Sequence, residues 1–216
     1  MYLLKLFHDT LPPHTKALLQ AQHSIIFAWK GAAVVNGARL ESDSALYGED
    51  VAAIEASAEG ATLWRWELVP EAGPLHLLSG QGVGSCLRMS RKVKMFELVP
   101  TSKWLFRLDS IIESMGSTGL HSHPGSGIRC MLNGVFRIDS EKGEEFDVHN
   151  PGDVWYEEGA YPLVSTAPPG IKTTFLRGMV LPPEYFHYPD TAIWIEGKPA
   201  EKTGWKNYVQ KVVTLR

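Results

Sequence analysis

A chain of 216 residues with 44% hydrophobic residues and a formal net charge of −3 is long enough for one large β domain or two of about 100 residues, and its apolar fraction excludes wholesale disorder. Acids and bases are interspersed with no basic stripe, so nucleic acid is not an expected partner. No run approaches the ~18 apolar residues of a membrane span, and MYLLKLFHDTLPPHTK meets Asp9 and two prolines before a secretory core can form, so a cytoplasmic protein without a membrane partner is expected.

In chain order, PHTKALLQAQH (13–23) is compatible with one or two helical turns. SIIFAWKG (24–31) and ATLWRWELV (61–69) read as strands, with Trp64 and Trp66 as core or domain-interface residues. SGQGVGS (79–85) carries three glycines and reads as a connector. KVKMFELV (92–99), WLFRLDSIIES (104–114), IRCMLNGVFRI (128–138) and IKTTFLRGMVL (171–181) are again β-branched and aromatic runs broken by turn residues. EKTGWKNYVQKV (201–212) fits a helix or a strand. Arg107 and Asp109 share a strand face and are placed for an ion pair. Cys86 and Cys130 form no CxxC motif and read as reduced, buried thiols.

Short, evenly spaced strands predict an all-β sandwich or barrel. An internal repeat divides it. SIIFAWKG ends at Gly31 and GIRCMLNG at Gly134, Asp43 aligns with Asp153, and Gly60 aligns with Gly170 at the head of a strand that runs to a proline. Two copies of one β module follow, with boundaries at 1–78 for the N-terminal module, 79–103 for connector and shared strands, and 104–216 for the C-terminal module.

The chemistry concentrates in GLHSHPGSGIRCMLNG (119–134). On a strand, His121 and His123 point to one face, and two imidazoles on one face are half of a metal site. A carboxylate would complete the two-histidine, one-carboxylate arrangement that leaves open positions on a metal. Glu157 is the candidate, because a strand entering at Asp153 puts Trp155 and Glu157 on one face; Glu158, His149 and Asp153 are poorer ones. Strand parity from Gly127 turns Arg129 and Met131 inward, whereas a turn at Pro124–Gly125 that resets the parity leaves Arg129 outside and solvated; in the first case a buried arginine requires an anion. That anion is either Glu157 or a substrate carboxylate, and if it is Glu157 the carboxylate is not available to a metal.

This segment resembles the first cupin motif, and GDVWYEEGAYP (152–162) resembles the second. The resemblance implies two tandem antiparallel jelly-roll barrels, a bicupin, with the site in the C-terminal barrel and a degenerate N-terminal copy. It also exposes two departures. The family's glutamate position, seven residues before Gly134, is Gly127, and its third-histidine position, three after Gly159, is Pro162. In the N-terminal copy the corresponding positions are Leu18, Gln20 and Ser24, and no metal is expected there.

Two functions are compatible with these residues. In the first, His121, His123 and Glu157 hold a divalent ion (Fe, Mn, Ni or Zn) in a dioxygenase-like or isomerase-like enzyme, and Arg129, Met131 and Tyr161 contact a small anionic substrate. In the second, the same cavity binds or senses a small organic acid without metal or catalysis. A small-molecule ligand and a second copy of the chain, as a homodimer, are the expected partners. The residue types assign no catalytic group.

Overall fold

The computed structural model describes residues 1–20, 23–49, 51–93, 102–113, 116–141, 145–148, 150–188, 190–196 and 202–215. The chain divides into two compact units, Met1–Val93 and Lys94–Arg216. Among the described residues the regular structure is strand apart from a 3-10 turn at Pro183–His187, and no helix is long and apolar enough to cross a membrane.

Unit 1 contains β1 (Tyr2–Leu11), β2 (Lys16–Leu19), β3 (His23–Val35), β4 (Ala38–Leu40), β5 (Ser44–Gly48), β6 (Ala52–Pro70) and β7 (Gly84–Lys92). The stretch read as compatible with helical turns forms β2 instead. Its burial alternates with period two, and Ala17 and Leu19 enter the core while Lys16 and Leu18 stay exposed. The seven strands make one sheet ordered β4-β3-β6-β1-β7, with β5 also on β3 and β2 also on β6. β7 comes from within 79–103 and pairs with β1; residues 94–99 of KVKMFELV lie outside the described residues.

β3 and β6 are creased where they meet. Gly31 and Gly60 have φ of +68° and +79°, and a Cβ on Gly31 would stand 2.1 Å from the Gly60 carbonyl oxygen. Only glycine allows that left-handed backbone and that approach together. The pairing register slips on both sides of Gly31, so one sheet bends over a core of Leu19, Ile26, Ala28, Leu40, Ile54 and Leu63. Trp64 and Trp66 are buried, and so are Arg65 and Glu67 beside them, whereas Cys86 on β7, expected to be buried, is exposed.

Unit 2 contains β8 (Lys103–Glu113), β9 (Gly116–Ser117), β10 (Leu120–Ser122), β11 (Ser126–Asn133), β12 (Phe136–Ser140), β13 (Glu145–Val148), β14 (Val154–Glu157), β15 (Leu163–Ala167), β16 (Thr173–Leu181), β17 (Ile193–Glu196) and β18 (Lys202–Thr214). One sheet is ordered β14-β11-β16-β8-β18, the other β13-β12-β15-β10-β17 with β9 on β15. The ambiguous segment near the C-terminus is therefore a strand, β18. Between the sheets lie Ile111, Met131, Phe136, Ile138, Trp155, Leu163 and Phe175. The Phe136, Trp155 and Phe175 rings pack at centroid distances of 5.0–6.0 Å, and each buried aromatic contributes roughly 1.5–3 kcal/mol.

The two units share a pairing scheme. β5, β3, β6, β1 and β7 pair in the order of β14, β11, β16, β8 and β18, and β4, β3, β6 and β2 in the order of β13, β12, β15 and β9. What is one creased strand in unit 1 is two strands in unit 2, separated at Gly134 and Gly170, which also have positive φ (+96° and +78°). The turn equivalence is shifted by one residue from the sequence alignment. Asp43 N–H donates to Ala28 at 2.8 Å and Gly152 N–H donates to Met131 at 2.8 Å, so the partner of Asp43 is Gly152 rather than Asp153.

Candidate functional site

β10 carries His121, whose backbone pairs with Leu163 just after Pro162, and His123 follows the strand with its N–H donated to the Gly159 carbonyl at 2.8 Å. Both rings are buried, with centroids 5.1 Å apart. His121 Nδ1 lies 2.9 Å from the Gly119 carbonyl oxygen and His123 Nδ1 lies 3.1 Å from that of Thr191. A carbonyl only accepts, so each Nδ1 bears its hydrogen.

β11 and β14 supply the charged pair. Gly127 sits opposite Glu157 and Arg129 opposite Trp155, so these positions share one sheet face. Gly127 has no side chain, and Arg129 curls back over it. Its Nη1 donates to the Gly127 carbonyl at 2.6 Å, while Nη2 lies 2.6 Å from Glu157 Oε2. Glu157 Oε2 also faces His123 Nε2 at 3.2 Å, and Oε1 accepts from the Trp155 indole N–H at 2.8 Å. Both nitrogens of His123 thus face oxygen atoms, Nδ1 that of Thr191 and Nε2 that of Glu157.

Burial alone would raise the Glu157 pKa. The Arg129 charge, followed by the hydrogen bond and charge of His123 and the Trp155 N–H, outweighs it and holds the carboxyl well below the usual range. Burial lowers the Arg129 pKa and the Glu157 charge opposes that shift.

A second buried network lies on β8 and β16. Asp109 and Arg177 pair across the strands, with Arg177 Nε 2.8 Å from Oδ1 and Nη2 3.1 Å from Oδ2. Asp109 Oδ2 also accepts from Arg107 Nε at 2.8 Å, the ion pair expected from their shared face. Burial opposes the charge on Arg177, but Asp109 outweighs it and raises the pKa.

These side chains surround a cavity of about 30 Å³, room for one or two waters. Its polar wall is Thr118, His121, His123, Glu157, Ser165 and Arg177. The apolar wall includes Phe136, Phe175 and Trp194, whose ring lies 4.9 Å from His121. Arg177 commits Nε and Nη2 to Asp109 and its guanidinium carbon lies 5.2 Å from the centroid of the Trp205 ring, while Nη1 makes no hydrogen bond among the described residues.

His121, His123 and Glu157 all line this cavity, Glu157 on the face that strand parity from Asp153 gives it. Arg129 is turned inward with Glu157 as its anion, and lies behind the cavity wall. Met131 is fully buried in the core cluster, and Tyr161 is 44% exposed in the turn after β14; among the described residues neither lines the cavity. Asp153 is engaged in its own turn by Asn150, and His149 lies outside the described residues. Arg177, Thr118, Ser165 and Trp194 were not singled out from the sequence. Arg177 was the legible one, two residues from Phe175 on a strand and so on the same face.

A divalent cation does not fit these donors as they stand. Among the described residues no group of three His, Cys, Asp or Glu is arranged to hold a metal ion. Glu157 Oε2 is already shared between a guanidinium and His123 Nε2. A divalent ion about 4 Å from a guanidinium would meet a repulsion of about 8 kcal/mol at an effective dielectric constant of ~20.

No protein-family model matches the chain, and no curated protein matches it. Solved structures do. It is similar to an oxalate decarboxylase structure at 13% identity and a TM-score of 0.54, covering 85% of this chain and 72% of that one. It is also similar to salicylate 1,2-dioxygenase from Pseudoaminobacter salicylatoxidans in complex with gentisate, at 12% identity and a TM-score of 0.51, covering 82% and 68%. Both are cupin-fold proteins. At these identities the likeness is one of fold, and the fold of this chain is the cupin fold.

Proposed function

We propose that the chain is a tandem of two jelly-roll cupin modules in which the C-terminal module binds a small organic carboxylate without a metal. The observation that carries this reading is Arg177, a buried guanidinium that lines the cavity with no hydrogen bond from Nη1 among the described residues. A guanidinium N–H in a low-dielectric cavity favours an anionic acceptor. Thr118 and Ser165 add hydroxyls to the same wall. The fold neighbours, by their names, take oxalate and salicylate, both carboxylates, which supports the ligand class by analogy of fold.

A metal-dependent dioxygenase-like or isomerase-like enzyme is the second reading. It draws on His121 and His123, whose Nδ1 atoms are fixed by carbonyls as those of metal-binding imidazoles are, and it requires Glu157 to leave Arg129.

Calorimetry with formate, acetate, oxalate and benzoate tests the first reading. The cavity predicts that formate or acetate binds more tightly than benzoate, and that Arg177→Met weakens binding at least ~10-fold. No carboxylate binding, or equal binding of formate and formamide, would overturn it.

A further inference from the structure

Gly127 and Arg129 explain one another. A Cβ at position 127 would stand 2.7 Å from both Arg129 Nη1 and the Gly178 carbonyl oxygen and 2.9 Å from Met179 Cγ, so the guanidinium and β16 together fill the space that any side chain at 127 would enter. Position 127 is where the cupin motif places its carboxylate, and in this chain a cation has been delivered into that space from two residues along the same strand.

The consequences run through Glu157. Its Oε2 is the meeting point of Arg129 Nη2 at 2.6 Å and His123 Nε2 at 3.2 Å, and its Oε1 is fixed by the Trp155 indole. His123 is fixed at its other nitrogen by the Thr191 carbonyl. Glu157 is held at both oxygens and His123 at both nitrogens, and the Oε2 and Nε2 atoms that could turn toward a common metal ion face one another, with Arg129 on the same oxygen. Arg129 is fully buried, so water does not screen its charge from this group.

We propose that the guanidinium of Arg129 is a built-in cation standing in for a metal ion, holding Glu157 as the acceptor for His123 and Trp155 and keeping the site metal-free. This deepens the reading above and rests on the same cavity. Arg129 acts as a positioning residue, since among the described residues it lies outside the cavity wall. His121 and His123 then serve as hydrogen-bonding and shape-defining walls rather than as ligands.

The test is cobalt(II) chloride titrated into the chelator-treated full chain, followed by calorimetry, visible absorption and melting temperature. Wild type is expected to show no cobalt binding that His121→Ala removes. Arg129→Met retains the length and removes the charge, leaving Glu157 buried without its cation. It is expected to take up about one equivalent of cobalt, with affinity raised at least ~10-fold and lost again on adding His121→Ala. A gain of metal is a signature that mere loosening of the fold would not give. Stoichiometric, His121-dependent cobalt in wild type overturns the inference, as does a folded Arg129→Met that takes none. If Arg129→Met does not fold, the wild-type titration decides between the same two outcomes. Carboxylate binding is measured separately, so its absence would overturn the proposed ligand and leave the cobalt result standing.

Discussion

Glu157 and Glu67 are both buried carboxylates beside an arginine, yet their proton affinities are pushed in opposite directions. For Glu157, Arg129 and the two N–H donors outweigh burial, and the pKa falls. For Glu67 on β6, burial dominates over the charges of Arg65 and Lys5, Asp9 adds to the rise, and the pKa climbs from 4.5 to about 7. Arg65 is already shared with Asp9 at 2.7 Å, and Glu67 Oε2 lies 3.6 Å from His76 Nδ1 with neither atom hydrogen-bonded among the described residues. The signs follow from linkage. Glu157, with a depressed folded pKa, contributes stability above the unfolded value of 4.5 that is lost as pH falls below it. Glu157→Gln should therefore cost about 3 kcal/mol at pH 7 and shrink the loss of stability between about pH 4.5 and 2. Urea midpoints across pH would show this, and an unchanged acid slope would refute it. Glu67, with a raised folded pKa, contributes stability below 4.5 that is lost as pH rises through about 7. Glu67→Gln should flatten the decline between pH 5 and 8, measured by the same titration, and a decline as steep as wild type would show that Glu67 does not drive it.

At the scale of elements, the crease in β3 and β6 carries the shape of unit 1. Gly31→Ala would put a methyl 2.1 Å from the Gly60 carbonyl oxygen at a φ of +68°, whereas Gly37→Ala, at +82°, meets nothing within 4 Å. The first should cost at least ~3 kcal/mol and the second about 1 kcal/mol, which separates the close approach from the backbone conformation alone. Denaturant melts of both variants measure the difference, and equal costs would mean that the contact is unimportant. The strands themselves were legible, because β-branched and aromatic runs broken by turn residues mark SIIFAWKG, ATLWRWELV and IKTTFLRGMVL directly. β2 was not. Its four residues are too short for period two to be told from a helical turn, and what decides it is pairing with β6, a partner more than thirty residues away. The inward turn of Arg129 was legible from strand parity, but its destination was not. Parity fixes a face, and only the register of β11 against β14 puts Glu157 beside Gly127.

For the whole molecule, every described residue lining the cavity falls between Ile111 and Trp194, inside the unit Lys94–Arg216. Residues 94–216 expressed alone should bind formate with the affinity of the full chain if they remain soluble, and calorimetry on the two proteins compares them; a loss of ~10-fold or more would mean that unit 1 shapes the site. The relation between the units was partly visible in the sequence, as matching glycines at Gly31 and Gly134 and at Gly60 and Gly170. It was blurred because the same pairing scheme runs through continuous strands in one unit and divided strands in the other, so turn positions drift while the glycines stay in place.

The mutual fit of Gly127 and Arg129 also fixes an order of events in sequence space. A carboxylate gained at position 127 while Arg129 is present meets Arg129 Nη1 and the Gly178 carbonyl oxygen, each 2.7 Å from its Cβ, so that change needs the arginine displaced and β16 shifted as well. Losing the arginine first strands Glu157 in the interior with an unbalanced charge. Each route therefore crosses a less stable intermediate, and the two positions are coupled rather than free to change independently.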